Sequence, residues 1–306
     1  MEEIKFEQTV ESGCGIDVHK DLIVATIQKG NHQIETREFT AYTSSLKSLR
    51  DWCKREGVTH FAMESTGVYW IPVFNVLESD FEILLVNARH VKNVPGHKTD
   101  KKDSAWLSKL LLSGLLKGSF IPPRDIRELR DLVRYRKKVV AQVASEKNRI
   151  IKVLEGGNIK LSSVLTNVDG VVGTKIIDSL IEGKTDIDDL MQFYHGKIKV
   201  SREEFRQALE GHLTEHHRLM LRLYKDSITD KERHLARLDV EIERAAEAYC
   251  VEIELLQTIP GVGKSSAITI ISEIGVDMSR FPDEHHLSSW SGMSPGNNES
   301  GGKKKR

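Results

Sequence analysis

Gly13-Cys14-Gly15-Ile16-Asp17-Val18 is a short apolar run that reads as a buried β-strand and carries an acid near its C-terminal end. Residues 22–28 and 33–39 read as two further strands, turned at Lys29-Gly30-Asn31, so the chain opens as an antiparallel meander. Residues 46–54 form an amphipathic helical pattern. Residues 59–63 give a fourth strand, followed at once by Glu64. Residues 68–77 then read as a helix and 82–86 as a fifth strand. The order β-β-β-α-β-α-β-α predicts a mixed sheet with helices on its faces. If the first and fourth strands are neighbours, Asp17 and Glu64 emerge at one edge of the sheet, where α/β folds place their sites. Taken singly, Asp17 also reads as a turn residue before His19-Lys20-Asp21, and Glu64 as a cap before Ser65-Thr66-Gly67.

Next comes Pro95-Gly96-His97-Lys98-Thr99-Asp100-Lys101-Lys102-Asp103-Ser104-Ala105-Trp106-Leu107-Ser108-Lys109. Thr99 can cap a helix whose first turns carry Asp100 and Asp103 on one face. Acids suit a helix N-terminus, so cap and dipole chemistry is one reading. The other is a shared divalent cation, because two adjacent carboxylates otherwise repel. Asp17, Glu64, Asp100 and Asp103 together make an all-oxygen set that favours Mg²⁺, with Mn²⁺ as the alternative. Two such ions can clamp the attacking and leaving oxygens of a phosphodiester. The strand order with D…E…DxxD is the pattern of a ribonuclease-H-like α/β domain of the Holliday-junction-resolvase type.

The whole chain has 306 residues, with 45 Lys and Arg balancing 45 Asp and Glu. That balance hides a local bias. From Arg89 to Lys152 there are seventeen Lys and Arg against six Asp and Glu, which fits a phosphate-binding surface or a solvated helical face. Lys98, Lys101, Arg134, Arg136, Lys137 and Lys138 are the candidate phosphate contacts. Cys14, Cys53 and Cys250 are odd in number and widely spaced. That argues against a disulfide framework or a zinc site and suits a reducing cytoplasm. Neither a signal-peptide pattern nor a bilayer-spanning apolar run is present, so no membrane partner is expected.

Beyond Arg124 the pattern changes. Leu129, Val133, Arg136, Val140, Val143, Lys147, Ile150 and Leu154 recur at three- and four-residue steps, predicting a long helix that ends at Gly156-Gly157. Glycines 170, 173, 183 and 196 break up residues 158–200. A second long helix is predicted over residues 203–249. The pair reads as an antiparallel helical hairpin, as a coiled coil used for assembly, or as part of an ordinary bundle. Ile259-Pro260-Gly261-Val262-Gly263-Lys264-Ser265 fails as a phosphate-binding P-loop, because Thr258 stands where its first glycine belongs. It resembles a helix–hairpin–helix, in which Gly261, Gly263 and Lys264 would approach a DNA phosphate; a plain connector is the alternative. Near the end, Ser300 lies in Glu299-Ser300-Gly301-Gly302-Lys303. An exposed serine beside cations suits a nucleophile attacking a phosphate. On chemistry alone, a polar tail is the better reading.

Taken together, Gly-Ile-Asp-Val-His-Lys, Met-Glu-Ser-Thr-Gly-Val-Tyr-Trp, Lys-Thr-Asp-Lys-Lys-Asp-Ser, Ile-Pro-Gly-Val-Gly and Ser-Gly-Met-Ser-Pro-Gly…Glu-Ser-Gly-Gly-Lys resemble the DEDD insertion-sequence transposases. These form the insertion-sequence family one-hundred-ten, related to the Piv invertases. The resemblance implies three parts: a resolvase-like catalytic domain over residues 1–122, a coiled-coil assembly region over 123–250, and a small helical transposase domain over 251–306. It implies metal-assisted catalysis by Asp17, Glu64, Asp100 and Asp103, with Ser300 as the nucleophile that holds DNA covalently. Ser294, which precedes Pro295, is the lesser candidate. Donor and target double-stranded DNA, a structured bridge RNA, and dimers joining into tetramers are the implied partners. Family members continue past the Ser-Gly-Gly-Lys motif, so the resemblance also implies a truncated chain. A metal-dependent junction nuclease using water, and an inactive nucleic-acid-binding copy, are the competing expectations.

Overall fold

Ser12–Val18 forms the central strand, β1, of a five-stranded mixed sheet. The structure is a computed structural model that describes residues 10–30, 33–65, 67–87, 103–294, 299–300 and 303–304. The chain divides into two units, Met1–Ile121 and Pro122–Arg306.

In the first unit β1 is followed by β2 (Leu22–Lys29), β3 (Gln33–Thr40), α1 (Thr43–Arg55), β4 (His60–Glu64), α2 (Trp70–Leu77), β5 (Glu82–Val86) and α3 (Asp103–Leu112). The sheet order is β3-β2-β1-β4-β5. β1, β2 and β3 pair antiparallel, as the short turns between them require, while β1, β4 and β5 run parallel. A mixed sheet with helices of this kind is consistent with an α/β nuclease-like domain. Side chains alternate along a strand, and both faces of β1 are covered. Cys14, Ile16 and Val18 enter a core with Leu49 and Trp52 of α1, Phe61 and Met63 of β4, and Val73 and Leu77 of α2. Gly13, Gly15 and Asp17 take the other face, against α3.

That second face is set by contact between backbones. Ser104, Leu107, Ser108 and Leu111 of α3 fall on one helical stripe, and all four are buried. A Cβ on Gly15 would lie 2.0 Å from the Ser104 carbonyl oxygen and 2.4 Å from the Ser108 nitrogen. Only glycine allows so close an approach. Leu107 and Leu111 pack on Ala62 and Val86 across the sheet. The fully buried hydroxyls of Thr26 and Ser104 bond each other at 2.8 Å. Thr26 also bonds the Thr36 hydroxyl at 2.8 Å, whereas the Ser104 hydroxyl without Thr26 would be an orphaned polar group costing about 1–3 kcal/mol.

The second unit is helical. α4 (Arg124–Gly156) starts after Pro122-Pro123 and stops at Gly157. The short helices α5 (Leu161–Val164), α6 (Val171–Ile181), α7 (Ile187–Met191) and α8 (Arg202–Ala208) follow. Then come α9 (Glu215–Ala246), a 3₁₀ turn at Glu247–Tyr249, α10 (Cys250–Gln257), α11 (Lys264–Ile274), a second 3₁₀ turn at Met278–Arg280, and α12 (Glu284–Trp290). Two short strands, β6 (Glu299–Ser300) and β7 (Lys303–Lys304), pair antiparallel. α4 and α9 lie side by side in opposite directions. Arg136 meets Asp239 at one level, and Glu146 meets Lys231 further along. The short helices build a core of their own at the far end, with Leu154, Ile176, Leu180, Phe205 and Leu221. At the near end Ile126 and Leu129 of α4 share a core with Ile242 of α9, Ile253 of α10, and Ala267, Ile268 and Ile271 of α11. Residues 251–274 therefore share a core with the long helices.

The predicted helix over 203–249 is broken in two. His212 N–H donates to the Gly157 carbonyl at 2.7 Å, and a Cβ on Gly211 would sit 2.4 Å from that same oxygen. Residues 209–213 are thereby held across the end of α4. α9 then begins at a capping box in which Thr214 and His217 bond each other's backbone. Phe205, Ala208 and Leu209 before the break and Leu213 and Leu221 after it are buried in the same core, so apolar residues flank the break and a single helix is the simpler reading of the sequence.

Gly15→Ala is expected to destabilise the first unit by more than the roughly 1–3 kcal/mol typical of overpacking, because the clash is with backbone. Gly156→Ala, where an added Cβ meets nothing within 4 Å, is the control and should be neutral or slightly stabilising. Urea unfolding followed by tryptophan fluorescence checks both.

Candidate functional site

The register of the parallel pair places the acids. Ile16 lies opposite Met63, so the next residues along, Asp17 and Glu64, stand side by side at the C-terminal ends of β1 and β4. Ile16 and Met63 are in the α1/α2 core. By alternation, both acids turn to the face that α3 covers. Asp103 is the first residue of α3, one position before the Ser104 anchor. The structure thus brings Asp17, Glu64 and Asp103 to one end of the sheet. Thr99, Asp100, Lys98 and Lys101 lie outside the described residues.

Asp17 has a side chain only 18% exposed. Burial pushes its carboxyl above the ordinary value. His19 opposes this through its charge and a hydrogen bond at 3.0 Å, and the negative charges of Asp103 and Glu64 add to the upward push. Among the described residues, no three acid, histidine or cysteine side chains are arranged to hold a metal ion as they stand. The donor chemistry nevertheless suits a hard divalent cation. Carboxylate oxygens from two strand ends and one helix start repel one another, and a cation relieves that repulsion.

In the second unit the basic residues divide by partner. Arg134 makes a two-point bond to Glu273 at 2.8 and 2.7 Å. Arg130 donates to the Ser272 and Glu273 carbonyls at the C-terminal end of α11. Arg136 is paired with Asp239. Two of the predicted phosphate contacts, Arg134 and Arg136, are therefore engaged within the fold, and they tie α4 to α11 and α9. Lys137 and Lys138 are exposed. The stretch after α10 turns at Gly261 with a φ of +87°, and Gly263 precedes the first residue of α11. Nothing lies within 4 Å of a Cβ at either glycine. Lys264 is paired with Glu243 at 2.9 Å. Arg136, Lys137, Glu243, Lys264 and Ser265 border a groove of about 530 Å³. Ser300 falls in β6 opposite Lys303 of β7, and Ser294 is exposed.

Two comparisons bear on this arrangement. A family model described as transposase, DEDD_Tnp_IS110, matches residues 14–159. A second, described as transposase of the IS116/IS110/IS902 family, matches residues 253–306. The chain belongs to the IS110 family of transposases. No curated protein matches it. Both matched regions are transposase domains, which supports a transposase or recombinase function and DNA-processing activity. In this IS110-family chain the first match takes in all three described acids, and the second takes in α11 and Ser300. Residues 160–252, with the short-helix lobe and α9, lie in neither match. Among the described residues, no helix is long and apolar enough to cross a membrane.

Sequence reasoning overlooked three residues that shape this site. His19 appears in the sequence reading as a turn residue and as part of the Gly-Ile-Asp-Val-His-Lys motif, with no role assigned, although its spacing from Asp17 allows the bond seen here. Gly15 carried a signal, a glycine alternating with apolar residues inside a strand. Ser104 carried none, because its partner Thr26 is 78 residues away.

The bond from Arg134 holds the Glu273 carboxyl below its ordinary range, despite some burial acting the other way. A lowered folded value means that the stabilisation is present above the unfolded glutamate value and is lost as pH falls through the folded one. The melting temperature of Glu273→Gln should therefore lie below that of the unaltered chain at neutral pH. The gap should narrow as pH falls below the ordinary glutamate value of about 4.3 and close below the lowered folded value, as a pH series of melting curves will read.

Proposed function

We propose that this IS110-family chain is a site-specific DNA recombinase of an insertion sequence, built on a ribonuclease-H-like domain, with Ser300 as nucleophile and a structured bridge RNA as guide. The observation that carries the proposal is the meeting of Asp17, Glu64 and Asp103 at one end of the sheet, in a chain matched by two transposase family models. Asp100, three residues before Asp103 in the sequence, completes the acid set. Mg²⁺ or Mn²⁺ held by these four acids would supply charge neutralisation at a phosphodiester oxygen.

The chain's own groups divide the work. Ser300 Oγ gives up its proton and bonds to phosphorus as one P–O bond of the DNA breaks. The departing strand oxygen takes up a proton and leaves as a hydroxyl. The phosphoserine link conserves the energy of the broken bond for rejoining. The exposed Lys137 and Lys138 and the open glycine turn before α11 are suited to phosphate contact, with Lys264 joining once it leaves Glu243. Arg134 and Arg136 act from behind by holding α4, α9 and α11 in place. The paired helices α4 and α9 offer a surface for a dimer and, through it, a tetramer.

Mixing the protein with Mg²⁺, flanking RNA and labelled junction DNA should give a covalent protein–DNA band on a denaturing gel. Ser300→Ala should abolish the band and leave RNA binding intact, and Asp17→Asn should reduce it by several orders of magnitude. A band surviving Ser300→Ala would remove that serine from the mechanism. A free 5′-phosphate with no attached protein would show that water does the cutting.

A further inference from the structure

We propose that His19 is the positioning residue of Asp17: it donates one hydrogen bond that fixes the carboxylate for cation binding. The inference rests on the reading of the acids as a cation site and goes beyond it by assigning a residue outside the acid set.

The turn that follows β1 sets the geometry. His19 N–H donates to the Leu22 carbonyl at 2.9 Å, closing the turn into β2. With the backbone so fixed, the imidazole folds back, and Nε2 stands 3.0 Å from Asp17 Oδ2. His19 is the only side chain that bonds Asp17 among the described residues. The imidazole itself is 56% exposed, so packing is not what holds it there. Asp17 needs such a partner more than an ordinary carboxylate does. It is mostly buried, it stands beside Glu64, and α3 starts with another acid nearby. An untethered carboxylate in that setting would turn away from its neighbours. Tying Oδ2 fixes the carboxylate plane and leaves Oδ1 as the untied oxygen. A carboxylate that binds a cation is commonly held by a hydrogen bond of this sort, and losing the bond costs about 10–100-fold in metal affinity.

The test uses the full chain without nucleic acid and Mn²⁺ alone as probe, with free Mn²⁺ followed by electron paramagnetic resonance. His19→Ala should weaken Mn²⁺ binding by about 10–100-fold with little change in melting temperature. His19→Gln, whose amide nitrogen can donate from the place of Nε2, should recover most of that loss. Asp17→Asn separates the two levels of inference. If Asp17→Asn binds Mn²⁺ as well as the unaltered chain, or if the unaltered chain binds none, the cation reading of the acids fails and this inference with it. If Asp17→Asn loses binding while His19→Ala keeps full affinity, the acid site stands and the role of His19 is overturned. His19→Gln behaving like His19→Ala, with both folded, would overturn hydrogen-bond positioning in particular.

Discussion

The approach of α3 to β1 at Gly15 is a contact between main chains, and the acid group depends on it. A side chain at Gly15 would push the Ser104 carbonyl away from the strand, and Asp103 would move with it. The Thr26–Ser104 hydroxyl pair sits at the same level and sets where along the strand α3 docks. Apolar contacts from Leu107 and Leu111 supply adhesion, but they are non-directional and would tolerate a slide. Glycine and hydroxyl together fix what the leucines leave loose. One acid thus comes from a helix start pinned by backbone contact, while two come from strand ends pinned by the ladder.

The charge arrangement at this end of the sheet is strained in the electrostatic sense. Burial and two like charges act against an ionised Asp17, and His19 is the local compensation. Sites of this kind are held for chemistry more than for stability. In the second unit the charges are used differently. Arg130, Arg134 and Arg136 each serve helix packing, Lys147 is paired with Asp169, and Lys137 and Lys138 are exposed. The guanidinium fork suits two-point pairing, whereas a lysine on a flexible stem suits contact with a moving backbone.

Much of the sheet was legible because period-two alternation is a local signal. The strand starting at Gln33 and the strand over Glu82–Val86 begin where the pattern places them. The neighbouring of β1 and β4 was only conditional, since pairing across 47 residues leaves no local trace. The break before α9 was hidden for the opposite reason. Apolar residues lie on both sides of it, and the signals that mattered were a glycine at 211 and a Thr-x-x-His cap. Pairings such as Arg134 with Glu273 span 139 residues and were out of reach of any pattern. Asp100 was singled out with Asp103, yet only Asp103 falls in the described structure.

The near-end core of the second unit has a consequence for how the chain is made. Ile126 and Leu129, at the start of α4, are covered partly by Ala267, Ile268 and Ile271 of α11. On a ribosome that emits the chain from its N-terminus, the first turns of α4 must wait for more than a hundred further residues before that cover arrives. The short-helix lobe between α4 and α9 can close much earlier, because its partners lie close together in sequence. Synthesis therefore favours a sequence in which the far end condenses first and the near end last. During that interval the open end of α4 is the place where a chaperone, or a neighbouring nascent copy, would find apolar surface.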